Sequence, residues 1–142
     1  MVSEGGTAMS VNRWSKLWIL LACSSMLVAA SGGWLNKVPD ADRKRVNPFD
    51  DSKEAVAAGA VLFQNNCAKC HGSDAAGKHN RPSLRSERVA HATDGELAWL
   101  LKNGSLWKGM PSWSSLPEQQ RWQIIAYLRS LQPLTTTQQG AK

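Results

Sequence analysis

The chain has 142 residues, 17 of them Lys or Arg and 11 Asp or Glu, for a formal charge of +6. That length allows one compact domain with an N-terminal extension, and the moderate basicity suits an acidic partner or an anionic membrane surface. It argues against nucleic-acid binding, because the basic residues are dispersed and the densest run, Arg43-Lys44-Arg45, is flanked by Asp40 and Asp42; three cysteines are too few for a disulfide scaffold.

Residues 1–30 read as an export signal. The first eight are polar, and Met9 is a second candidate start. Arg13 and Lys16 precede an uncharged stretch over 17–30 that ends in Val28-Ala29-Ala30, so the cut is expected after Ala30. Two rival readings stand beside it. The uncharged run continues to Leu35, and 17–35 is long enough for an uncleaved membrane anchor. Leu20-Leu21-Ala22-Cys23 also resembles a bacterial lipoprotein box with Cys23 as the acylated residue. All three readings carry residues 36–142 out of the cytoplasm.

Residues 31–50 are expected to be a linker. Their later part, 36–50, is charged and holds Pro39 and Pro48, which argues against regular structure. The pattern changes at 51, where a domain spanning 51–133 begins. Asp51 and Glu54 have capping-box spacing. Val56, Ala60, Phe63 and Cys67 follow at helical intervals on one face. Residues 72–92 read as loop. Thr93 and Glu96 form a second capping box, and Gly104 stands where a helix C-cap tolerates positive φ. Residues 105–117 read as loop, and Ser115 with Glu118 gives a third capping box before an apolar helix that Pro133 ends. Residues 134–142 are expected to be a flexible tail. The domain is therefore all-α, three main helices with long loops, and at this size it needs a staple.

The chemistry lies in Cys67-Ala68-Lys69-Cys70-His71. Thiols three residues apart at a helix end share one face. They can reach the two vinyl groups of one haem, with the adjacent imidazole beneath the ring. Cys-x-x-Cys-His is the c-type attachment signature. A structural zinc site wants four ligands, and His79 and His91 are the only other histidines. A thioredoxin-like motif wants a strand context that is missing here. For the opposite face of the iron, Met110 is the one methionine inside the domain, set between Gly109 and Pro111. A soft thioether there raises the reduction potential; His79 and His91 are the alternatives.

At this point the chain resembles the class I, mono-haem cytochromes c, of the bacterial exported type. The likeness covers 52–132 and rests on AGAVLFQNNCAKCHG, KGMPSW and IIAYLRSL in the family's order. It implies crossed first and last helices, with Gly59 and Phe63 meeting Tyr127. It implies one covalent haem c, held by Cys67 and Cys70 and ligated by His71 and Met110. It also implies that the Pro82 carbonyl accepts a hydrogen bond from His71 and orients it. A wall is expected from Phe63, Leu84, Leu97, Leu100, Leu101, Trp113, Ile124 and Leu128. Donors for the haem propionates are sought among Arg81, Arg85, Trp107 and Trp113. Lys69, Lys78, Lys102 and Lys108 suit a basic collar toward an acidic partner.

The expected function is periplasmic electron transfer between a dehydrogenase or quinol-oxidising complex and a terminal acceptor. The carrier is expected to be a monomer and not itself an enzyme. Two other readings are a gas- or ligand-sensing module, and a fixed cytochrome subunit of a membrane-bound complex tethered through 17–35 or a lipid on Cys23.

Overall fold

The computed structural model describes residues 33–132. The readings placed on 1–30, on Cys23, on 17–35 up to residue 32 and on the tail 134–142 lie outside those residues. Among the described residues, no helix is long and apolar enough to cross a membrane. Regular structure there is helical: α1 (Asp40–Arg43), α2 (Lys53–Asn66), α3 (Ala68–His71), α4 (Glu87–His91), α5 (Asp94–Asn103) and α6 (Glu118–Ser130). Two isolated bridge pairs, Lys78 with Arg81 and Ser105 with Met110, close loops and build no sheet.

Helix α2 starts one residue later than the spacing suggests. Ser52, not Asp51, is the N-cap, and its hydroxyl accepts from the Ala55 amide at 3.1 Å. The buried face of α2 is Ala55, Gly59 and Phe63, with Val56 and Ala60 half-buried beside it. Small residues on that face let α6 lie close. A Cβ on Gly59 would meet the Gln123 carbonyl oxygen at 1.9 Å and the Tyr127 Cβ at 3.0 Å. One turn on, the rings of Phe63 and Tyr127 are 5.3 Å apart and tilted by 50°. The first and last long helices therefore cross at Gly59, as the resemblance implies. Phe63, Ile124 and Ile125 are fully buried at this crossing, each stabilising the fold by about 1.5–3 kcal/mol.

Helix α5 carries the expected capping box: Thr93 accepts from the Glu96 amide while Glu96 accepts from the Thr93 amide. Gly104 ends it at φ 71°. The third box, Ser115 with Glu118, is absent. Helix α6 begins at Pro117, which caps without a side chain. Buried Arg121 instead turns back and donates to the Leu116 carbonyl. The interval 72–92, read as loop, contains the short α4, whose Val89 is buried.

Residues 34–50 are not an irregular linker. Leu35–Lys37 forms a 3-10 turn and α1 follows, with Pro39 as its N-cap at φ −61°, the angle its ring prefers. The clustered charges have distant partners. Arg43 donates to the carboxylate of buried Glu96 and to the Leu35 carbonyl. Arg45 pairs with Glu118 and lies 5.0 Å above the Trp122 ring. Buried Asn47 donates to the Trp122 carbonyl at 3.0 Å. A Cβ on Gly95 would fall 1.8 Å from the Asp42 carbonyl oxygen, so this strap rests directly on the start of α5. Its charge and proline content signalled a solvated segment because the partners lie so far along the chain.

Candidate functional site

Helix α2 runs into the single turn α3 through Cys67, whose φ of −115° bends the chain. Cys67 is buried and Cys70 is exposed, and both are free thiols. Burial, then the neighbouring Cys70, pushes the Cys67 thiol up to about 11. Among the described residues, no three of His, Cys, Asp and Glu gather as ligands of one ion. The motif's side chains are thus not arranged as the corners of a tetrahedral metal site. An exposed and a buried thiol on one turn instead suit attachment at two points of a flat, partly covered group.

Half-buried His71 faces the loop that follows it. Its Nδ1 lies 3.0 Å from the Pro82 carbonyl oxygen. A carbonyl only accepts, so Nδ1 carries the proton and donates, leaving the Nε2 lone pair for a metal. That is the bond the resemblance attached to Pro82, and it orients the ring. The loop is tightly determined. Gly77 N donates to the His71 carbonyl and Leu84 N to the Ala75 carbonyl, each at 2.8 Å. Fully buried Ala75 and exposed His79 are held at φ 60° and 53°. Such angles persist in residues with a Cβ only where surroundings impose them.

Met110 is half-buried and packs on the core cluster. Its loop is pinned at the base, where Ser105 N donates to the Met110 carbonyl at 2.8 Å and Met110 N to the Ser105 carbonyl at 3.1 Å. Beyond it, Trp113 N donates to the Leu101 carbonyl at 2.8 Å. Gly109 is left-handed at φ 69°. Arg81 reaches this loop from the other side: its Nη1 donates to the Lys108 carbonyl at 2.7 Å.

The structure sorts the remaining sequence candidates. Phe63, Leu97, Leu101, Ile124 and Leu128 belong to the buried core, and Leu84 and Trp113 pack against it; Leu100 is half-buried. Trp107, sought as a propionate donor, stands 94% exposed at the loop tip beside Leu106. Arg85, His79 and His91 are exposed, as are Lys69, Lys78, Lys102 and Lys108. Two surface clefts, of about 110 and 380 Å³, are lined by the strap, α4, α5, α6 and neighbouring residues and hold none of the motif residues. Sequence reasoning missed the bond from Arg81 to Lys108, for which no local pattern exists. It also missed Arg129, whose Nε donates to Asp94 at 2.7 Å while its other nitrogens donate to the Val89, Ala90 and Ala92 carbonyls.

The family model of the cbb3-type cytochrome c oxidase subunit III matches residues 54–128, just over half of the chain. The chain belongs to this family. Among curated relatives, it is 38% identical over 96 residues to the cbb3-type cytochrome c oxidase subunit FixP of Sinorhizobium medicae (strain WSM419), covering 54% of this chain and 30% of that one. It is 47% identical over 38 residues to subunit CcoP of Rubrivivax gelatinosus, covering 27% of this chain and 12% of that one. The chain therefore spans less than a third of the length of these relatives. Among solved structures, cytochrome CL from the marine methylotroph Methylophaga aminisulfidivorans MPT superposes with a TM-score of 0.52 at 30% identity, covering 60% of each chain. The fold is that of a class I cytochrome c, and this cytochrome c domain has one covalently attached haem c and an electron-transfer function. The donor set fits that group: two thiols, an imidazole with Nε2 free to ligate, and a thioether in an apolar setting.

Proposed function

We propose that this cytochrome is an exported electron carrier, working on the periplasmic side of the membrane, in which Cys67 and Cys70 would hold the haem as thioethers and His71 and Met110 would ligate its iron. The bond from His71 Nδ1 to the Pro82 carbonyl carries the reading, since it orients the ring and leaves the Nε2 lone pair available to a metal. When bound, the haem supplies a one-electron Fe(III)/Fe(II) couple. The chain's own part is to hold both ligands through that change and to exclude water. His71 is oriented by Pro82, and Met110 by the paired Ser105 bonds. Phe63, Leu97, Leu101 and Leu128 supply the low-dielectric surroundings, in which a thioether ligand favours the reduced state.

The reading is that of a carrier and not of a catalyst, passing electrons from a dehydrogenase or quinol-oxidising complex to a terminal acceptor. Exposed Lys69, Lys78, Lys102 and Lys108 suit an acidic partner surface. A second reading, a fixed cytochrome subunit of an oxidase complex, is favoured by relatives that are named as such subunits. It would draw on a tether at 17–35 or Cys23.

The test is one spectrum of the oxidised haem-loaded protein. A red charge-transfer band of a sulfur–ferric bond is expected. Its absence would remove Met110 as a ligand. Mass spectrometry of the mature N-terminus separates the free carrier from the tethered subunit.

A further inference from the structure

We propose that Arg81 is a positioning residue for Met110: it latches the methionine loop to the loop after the haem motif, and so sets how readily the thioether gives up its place. The proposal rests on the reading of His71 and Met110 as the ligand pair. Arg81 and Pro82 are consecutive, and each touches the element that bears one of those ligands. The Pro82 carbonyl accepts from His71 Nδ1 at 3.0 Å. The Arg81 guanidinium donates to the carbonyl of Lys108, two residues before Met110, at 2.7 Å. One dipeptide therefore ties the two halves of the site together.

Both ends of this tie are prepared. The Arg81 backbone is fixed by its amide, which donates to the Lys78 carbonyl at 2.9 Å. Its carbonyl packs where a Cβ on Gly77 would come within 2.8 Å. On the other side, a Cβ on Gly109 would lie 2.6 Å from Arg81 Nη1 and 3.1 Å from Nη2. The bare backbone at Gly109 thus makes room for the guanidinium against the loop. The Ser105 and Met110 bonds close only the base of the loop. At its tip Leu106 and Trp107 are 79% and 94% exposed and contribute little packing. Among the described residues, Arg81 is the one side chain from another element that hydrogen-bonds the segment 106–109. A loop held at its base and at one point of its tip opens more often when the tip bond is removed.

The experiment titrates imidazole into the ferric, haem-loaded protein and follows loss of the sulfur–ferric band. A ligand that needs the open loop binds with an apparent affinity proportional to the open fraction. Arg81→Ala is expected to raise that affinity about three- to tenfold, the worth of one hydrogen bond. Arg81→Lys, which keeps a charged donor, should raise it less. Arg88→Ala, which removes an exposed cation of α4 that takes no part in the tie, should leave it unchanged. Gly109→Ala should raise it in the wild-type background and add less on top of Arg81→Ala, since the clash with the guanidinium is then gone and only the left-handed strain at φ 69° remains. Equal affinity in wild type and Arg81→Ala would overturn the latch. So would an equal rise in Arg88→Ala, which would assign the effect to charge alone. If Arg81→Ala does not accumulate, Arg81→Lys and Arg81→Gln decide between the same outcomes. A wild-type spectrum without the band overturns the ligand reading itself, whatever the variants do.

Discussion

The side chain that Gly59 lacks would occupy the place of the Gln123 carbonyl oxygen, 1.9 Å from where its Cβ would stand. No rotamer relieves such a clash, because the backbone fixes where the Cβ stands and the oxygen is itself backbone. Gly59→Ala must therefore push α2 and α6 apart and loosen Phe63 against Tyr127. A loss of about 3 kcal/mol is expected, at the upper end of ordinary overpacking, although alanine is the better helix former. Thermal unfolding of the haem-loaded variant checks it, and an unchanged midpoint would mean that the helices do not cross there.

Arg129 and Asp94 are each 15% exposed and bonded at 2.7 Å, with the remaining guanidinium nitrogens on carbonyls of α4 and the turn after it. Removing Arg129 leaves a shielded carboxylate and several carbonyls unpaired. Arg129→Ala should cost about 3 kcal/mol. Asp94→Asn should cost less, since the carbonyl bonds of Arg129 survive. Denaturant midpoints for both single variants and the double variant give the coupling directly.

Burial, with the nearby charges of Asp94 and Asp51, raises the Asp50 carboxyl above its usual range, partly offset by Arg129. A carboxyl whose folded value is raised favours the fold below its unfolded value, and loses that contribution as pH climbs through the folded one. At neutral pH its charge is therefore mildly unfavourable. Asp50→Asn should be slightly more stable than wild type at pH 7, by less than about 0.5 kcal/mol for so exposed a group. The difference should close as pH falls toward 4. A gap that persists at acid pH would assign the effect to something other than this charge.

Met110→Ala should keep the thioether attachment and lose the sulfur–ferric band. Its reduction potential should fall, because the thioether ligand raises it. Spectroscopy and a potentiometric titration on the same sample read both effects. An unchanged potential would place Met110 away from the iron.

The double variant C67A/C70A cannot attach haem. A haem buries several hundred Å² of apolar surface, roughly 25 cal/mol for each Å², which is comparable with a whole domain's stability. Circular dichroism should show partial helix and no cooperative melt. A native-like melt would show that α2, α5 and α6 hold together by themselves.

What could be read from the sequence was what is local. Cys67, Cys70 and His71 are candidates by their spacing, and Met110 is the proposed partner because it is the one methionine in 51–133. Thr93 with Glu96 and the C-cap Gly104 lie within one turn of what they stabilise. The likeness to a family supplied the long-range contacts of Gly59 and Pro82. What stayed hidden joins distant residues: Arg81 to Lys108 across 27 positions, Arg129 to Asp94 across 35, Asn47 to Trp122 across 75. Even a local rule misled at Ser115, where Pro117 took the cap and buried Arg121 satisfied the Leu116 carbonyl. Charge over 36–50 signalled solvent, while the fold used the same charge as fasteners.

The strap over 34–50 changes what counts as a transferable unit. Family likeness begins at residue 54, and a graft cut there would look complete by every motif it carries. It would nonetheless strand the carboxylate of Glu96, strip the cation from the face of Trp122 and bare the groove at Gly95. The packed unit is longer than the matched segment. Any exchange of this domain between chains, in the laboratory or by recombination, has to carry it whole from Trp34.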